Sequence, residues 1–121
     1  MPKKNTPKRT ITIAKKISQL MLEKKALSID IIDVRKITTL TDFFVICTSD
    51  SEPQSKAIHN HIKDELSDLG IKPWHSEGFE NLKWVLLDYI DIVVHVFSKE
   101  TRDFYEFERL WADAKITRVD N

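Results

Sequence analysis

The chain has 121 residues, 41% hydrophobic and 31% charged, with 19 Lys/Arg set against 19 Asp/Glu. That is long enough for one domain with its own core, and the composition excludes wholesale disorder. A single cysteine excludes an internal disulfide and a cysteine-based zinc site, two glycines exclude clustered-glycine phosphate cradles, and no run approaches the roughly 20 apolar residues of a membrane span.

The neutral total hides an asymmetry. Residues 1–36 hold ten Lys/Arg against three acids, and residues 37–121 hold nine against sixteen, so a basic front is joined to an acidic body with two kinds of contact surface. Residues 1–9, M-P-K-K-N-T-P-K-R, combine two prolines and four cations with almost nothing apolar. They read as a disordered basic arm, either a solvated tail or a contact for RNA phosphates. The sequence shows no signal-peptide h-region and no full transit segment, so the expected location is a cytoplasm, bacterial rather than organellar.

Residues 10–25 are expected to form a helix with Ile13, Ile17, Leu20 and Met21 on one stripe and Thr10 or Thr12 as its cap. A strand over 28–34 and a strongly apolar one over 42–48 follow, joined by the polar residues 38–41. Ser51-Glu52-Pro53-Gln54 opens the clearest helix: Ser51 caps, Gln54 closes the box and Pro53 sits where no donor is needed. Ile58, Ile62, Leu66 and Leu69 form its buried stripe, and Gly70 and Pro73 end it. Residues 73–77 form a short edge strand.

Residues 84–87 and 92–97, the halves of W-V-L-L-D-Y-I-D-I-V-V-H-V-F, have the signature of a hairpin turning at Tyr89 and Ile90. A two-residue loop would set Asp88 opposite Asp91, Leu86 opposite Val93 and Trp84 opposite His95. Val85, Leu87, Ile92, Val94 and Val96 would then line the other, core-facing side. Ser98 caps a last helical region with Phe104, Phe107, Leu110 and Trp111 as its apolar positions, and residues 114–121 form a polar tail. The expected fold is therefore α/β in the order α-β-β-α-β-β-β-α: one domain over 10–113, with a mixed five-stranded sheet flanked by helices.

Catalytic constellations are weak. Cys47 and His95 could act as nucleophile and base, but Cys47 lies in an apolar strand, where a thiol is a small buried hydrophobe. His59 and His61 are two apart on a helix and point to different sides, while His75 and His95 lack companions at ligand spacing. Asp30 and Asp33 face opposite ways on their strand. Opposed Asp88 and Asp91 could hold Mg²⁺ for nucleotidyl transfer, but no glycine-rich phosphate cradle accompanies them. A binding face fits better: Trp84 as an aromatic anchor, with Glu77, Asp88, Asp91 and the ring of Tyr89 around it. The plainer alternative is a tryptophan covered by one of the protein's own helices.

The run from Trp84 to Phe97, followed by E-x-R-x-F-Y-x-x-E-R-L-W from Glu100 to Trp111, resembles the ribosomal silencing factor family, also called Iojap-like. Asp33-Val34, T-D-F-F-V-I-C-T over 41–48, Ser51, Gln54 and Glu77-Gly78 fit the same pattern in order, so the resemblance spans roughly residues 13–111. It implies a small α/β fold related to nucleotidyltransferases but without their catalytic apparatus, hence no enzyme and no cofactor. It also implies binding to the universal fourteenth protein of the large ribosomal subunit, blocking small-subunit joining and repressing translation in starvation or stationary phase. Carried over by position, the contact residues are Glu77, Trp84, Asp88, Tyr89 and Asp91, with Trp84 as the desolvated anchor. A ribosomal RNA contact by the arm and a homodimer in the free state stay open. Two departures stand out: Ile90 where the family usually has glycine, so the turn should differ in type or carry strain, and Pro53 where a basic residue is common. The competing readings are a nucleotidyltransferase-like enzyme and a free-standing RNA-binding domain.

Overall fold

The computed structural model describes residues 8–119, so the basic arm expected over 1–9 lies almost wholly outside the described residues. Helix α1 (Lys8–Glu23) starts earlier than its apolar spacing suggests, which places Thr10 and Thr12 inside it, so neither is its cap. It buries Ala14, Ile17, Leu20 and Met21. It ends on Lys25 at φ +66°, where the Ala26 amide donates to the Met21 carbonyl at 3.1 Å, the left-handed stop usually given to glycine.

Helix α2 (Glu52–Asp68) has the expected cap: the Gln54 amide donates to Ser51 Oγ at 3.2 Å. The Gln54 side chain accepts from the Asp50 amide and donates to the carbonyls of Lys24 and Lys25, tying the start of α2 to the end of α1. At its far end Gly70 takes φ +81° and the Ile71 amide returns to the Leu66 carbonyl at 2.8 Å.

The strands are β1 (Leu27–Asp33), β2 (Phe43–Ser49), β3 (His75–Glu77), β4 (Trp84–Asp88), β5 (Ile92–Ser98) and β6 (Lys115–Val119), in the sheet order β3-β4-β5-β2-β1-β6. Only β2 and β5 pair in parallel, and the remaining neighbours are antiparallel. The sheet is mixed as expected but has six strands, because part of the tail assigned to 114–121 pairs along β1. K-I-T-R-V is too exposed to give an apolar signal. What holds it is the ladder, with Arg118 opposite Asp30 and Ile116 opposite Ile32.

The hairpin register also differs. Trp84 pairs with Phe97, Leu86 with His95 and Asp88 with Val93, two residues from the expected match. A two-residue hairpin turn of type I′ needs two left-handed residues, which Tyr89 and Ile90 supply poorly. The chain adopts instead a three-residue connection in which Ile90 alone turns left-handed, at φ +76°. A slip of two keeps every side chain on its face, so Val85, Leu87, Ile92, Val94 and Val96 are buried in the core as expected.

That core lies between the sheet and helices α1 and α2. On the opposite face a second cluster of Ile32, Val34, Phe44, Ile46, Phe97 and Phe107 is covered by α3 (Lys99–Tyr105) and a 3₁₀ turn (Phe107–Trp111). Left-handed Glu106 (φ +48°) breaks the last helix, so its 3.6-residue period does not carry through. Phe107 is buried, whereas Phe104 and Leu110, both expected on the apolar stripe, are exposed.

One arginine fastens this cover to the sheet. Arg102 is buried and donates to Asp30 Oδ2 (2.9 Å), to the Ser28 carbonyl (2.5 Å), to Thr48 Oγ1 (2.9 Å) and through Nε to Glu108 (2.8 Å). Arg118 of β6 completes the set on Asp30 Oδ1 at 2.5 Å. Burial, the largest single influence, would raise the Glu108 carboxyl, but the hydrogen bond from Arg102, a backbone hydrogen bond and the charges of Arg102 and Arg118 together outweigh it and hold the group below its ordinary range.

Candidate functional site

The cover is partial. Beyond the 3₁₀ turn the outer faces of β3, β4 and β5 are open, and there the surface forms a groove of about 590 Å³ whose exposed lining is almost wholly apolar. Alternation along β4 and β5 places Leu86, Asp88, Val93 and His95 in it. The 3₁₀ turn supplies Trp111, the loop before β3 supplies Trp74, and the β1–β2 connection supplies Leu40. Trp74 is 72% exposed and Leu40 85%, which is unusual for large apolar side chains that share a hollow. The Trp74 amide donates to the Asp88 carbonyl at 2.7 Å, so its backbone is fixed although its indole is bare.

Beneath the groove is a layer of packed rings. Phe44 makes edge contacts with His95 (5.2 Å), Phe107 (5.5 Å) and Trp111 (4.9 Å). Trp84 sits at the margin, half-buried, against Phe97 (4.8 Å) and Tyr105 (5.3 Å). Its Nε1–H donates to His95 Nδ1 at 3.0 Å. An imidazole that accepts at Nδ1 carries its proton on Nε2. Burial pushes the His95 ring down to about 3, so it is neutral at physiological pH.

The structure divides the five residues singled out from the sequence. Glu77, Trp84 and Asp88 lie on the outer face, Glu77 opposite Leu86 and His75 opposite Asp88. Glu77 is hydrogen-bonded to His75 Nε2 at 2.7 Å. Tyr89 and Asp91 go the other way. Tyr89 packs against the helix-side core, where burial raises its phenol to about 12, and Asp91 lines a small hollow with Arg9 and Thr10 of α1. Asp88 and Asp91 therefore do not oppose one another. The Asp88 carboxylate instead accepts from the Ile90 amide at 2.7 Å, which leaves the imagined two-carboxylate Mg²⁺ site without its geometry.

Cys47 and His95 are separated as well. Cys47 is directly opposite Val96 and belongs to the helix-side core, with its thiol pushed up to about 12 by burial, whereas His95 faces outward. Sequence reasoning missed Trp74, Leu40 and Trp111 as surface. Trp74 carried a signal, an indole beside Pro73 at the head of an edge strand. Leu40 carried none within its polar loop.

Over residues 7–121 the chain matches the family described as ribosomal silencing factor during starvation. The ribosomal silencing factor RsfS of Bacillus subtilis (strain 168) is 41% identical over 98 residues, covering 81% of this chain and 83% of that one. The chloroplastic protein Iojap of Zea mays is 32% identical over 107 residues, 86% of this chain but 45% of its own length. The crystal structure of a Chromobacterium violaceum protein matches with a TM-score of 0.81 at 34% identity, covering 91% of this chain and 92% of that one.

Proposed function

The chain belongs to the ribosomal silencing factor family, and from that premise we propose that it represses translation by docking on the large ribosomal subunit. The contact is made through that subunit's universal fourteenth protein, and the bound chain sterically prevents the small subunit from joining, notably in starvation or stationary phase. The cytoplasm, where the subunits meet, is the place of action.

The observation that carries this reading is the open apolar groove with acids at its edge. An exposed apolar patch rimmed by polar groups is the anatomy of a protein-docking surface, with aromatic side chains as its anchors. Glu77 and Asp88 on the same face suit a basic partner, as ribosomal proteins are. In this reading Trp74 is the exposed anchor. Trp84 supports the surface from its margin, Glu77 and Asp88 meet cations, and Tyr89 and Asp91 shape the hairpin tip from behind.

Sucrose-gradient sedimentation with purified subunits tests the proposal. The protein is expected to travel with large subunits and to lower the yield of joined ribosomes when small subunits are added. Protein left at the top of the gradient, with joining unaffected, would refute it.

A further inference from the structure

Among the described residues, four buried side-chain polar atoms have no hydrogen-bond partner: Thr41 Oγ1, Tyr89 Oη, His95 Nε2 and Trp111 Nε1. Three of the four belong to residues that line the groove described above. Buried polar groups are almost always satisfied, and a donor without an acceptor is costly, so three at one spot call for an explanation.

Their chemistry is not arbitrary. Trp111 Nε1–H can only donate. His95 is 4% exposed and its Nδ1 is taken by Trp84, so the proton sits on Nε2 at the ring edge away from that indole, again a donor. Thr41 adds a hydroxyl that can turn either way. These donors lie just beneath the floor, closed to solvent in the free chain, so an occupant must shift the side chains that cover them and must bring acceptors. A carboxylate or phosphate would supply them but would enter an apolar hollow with Asp88 in its lining and Glu77 on the same face, and no cation lines it. A neutral carbonyl meets both conditions. A second copy of this chain on a two-fold axis would bring two such acid-edged faces together.

We propose that the groove reads main chain: it seats an extended segment of a basic ribosomal protein, with an apolar side chain against Trp74 and Leu86 and a carbonyl oxygen on the Nε2–H of His95, Trp111 Nε1–H serving as the second donor. This rests on the docking reading above and names what that docking recognises. Trp84 is then a positioning residue, since its hydrogen bond to Nδ1 sets the tautomer that makes His95 a donor.

The test is equilibrium binding to purified large subunits, with thermal unfolding in parallel, for the wild type, Thr41→Val, His95→Phe and His95→Gln. His95→Phe keeps a ring but no donor and is expected to weaken binding at least tenfold. His95→Gln, whose amide can accept from Trp84 and still donate into the groove, is expected to retain most of the affinity. Thr41→Val removes an unsatisfied hydroxyl at nearly constant volume. It should melt at or above the wild-type temperature yet bind a few-fold more weakly, an opposition of signs that a purely structural role does not produce. Wild-type affinity in folded His95→Phe and Thr41→Val overturns the donor reading and leaves the docking reading standing. Failure of the wild type to bind overturns both. Self-association that shifts with His95→Phe while subunit binding does not would overturn the proposal in favour of a second copy.

Discussion

Ile90 holds φ +76° at the hairpin tip, with the Asp91 amide donating to the Tyr89 carbonyl at 2.9 Å, a γ-turn of the rare left-handed kind. A β-branched residue held there costs on the order of 1–3 kcal/mol. The connection thus has three residues rather than two and places the strain on Ile90. Replacing Ile90 with glycine relieves the strain, partly offset by about 0.4–1 kcal/mol of unfolded-chain entropy. Ile90→Gly should therefore raise stability in urea unfolding by about 1 kcal/mol, and since Ile90 lines the groove it should also weaken docking. His95 gives a second expectation at this scale. Its folded value near 3 lies below the ordinary value of 6.5, so between those limits the unfolded chain binds the extra proton and stability falls as the pH is lowered. The slope is about 1.4 kcal/mol per pH unit at most. His95→Phe should flatten the stability curve from pH 6 to pH 4.5 by about that slope relative to wild type. His59, also lowered by burial, and the depressed Glu108 and Asp33 contribute alike to both proteins.

At the scale of elements, Arg102 explains why E-x-R-x-F-Y-x-x-E-R-L-W goes with the rest of the chain. Its guanidinium joins α3, the 3₁₀ turn, β1 and β2, and through Asp30 it reaches β6. Removing one partner of a buried ion pair commonly costs about 3–5 kcal/mol, because the other charge is left behind. Arg102→Met should lose about 3 kcal/mol in denaturant unfolding and speed amide exchange across Lys115–Val119. Exchange confined to α3 would show that β6 is held by its ladder alone. Elements with a local signal were legible in advance: the Ser51 cap, the Gly70 stop and the aliphatic face of the hairpin need no distant partner to be recognised. What escaped depends on tertiary pairing. β6 is a strand because it pairs along β1, distant in sequence, with Arg118 opposite Asp30. Phe104 and Leu110 are exposed because Glu106 turns left-handed. The groove escaped for the same reason: its tryptophans, Trp74 and Trp111, come from separate elements.

Across the whole molecule, the uneven charge of the two ends bears on how the chain finds its partner. The acidic body carries the groove, and the basic front comprises α1, β1 and the arm before them. If docking is protein-to-protein at the groove, the arm is dispensable for it. If instead the arm grips RNA, affinity follows its cations: each phosphate contact contributes about 0.7–0.9 to the slope of log affinity against log salt. Deleting residues 1–7 removes Lys3 and Lys4 while leaving α1 from its first described residue. Under the groove reading the shortened chain should bind large subunits within about twofold of the full chain, with a salt slope changed by less than about one unit. Measured by co-sedimentation across a salt series, a loss of tenfold or more together with a shallower slope by about 1.5 would transfer the main contact to RNA. Between those outcomes lies a division of labour physical chemistry allows: a basic arm that speeds encounter at low salt, and an acid-edged apolar groove that sets how long the complex lasts. In that case the deletion slows association while the dissociation rate stays that of the full chain.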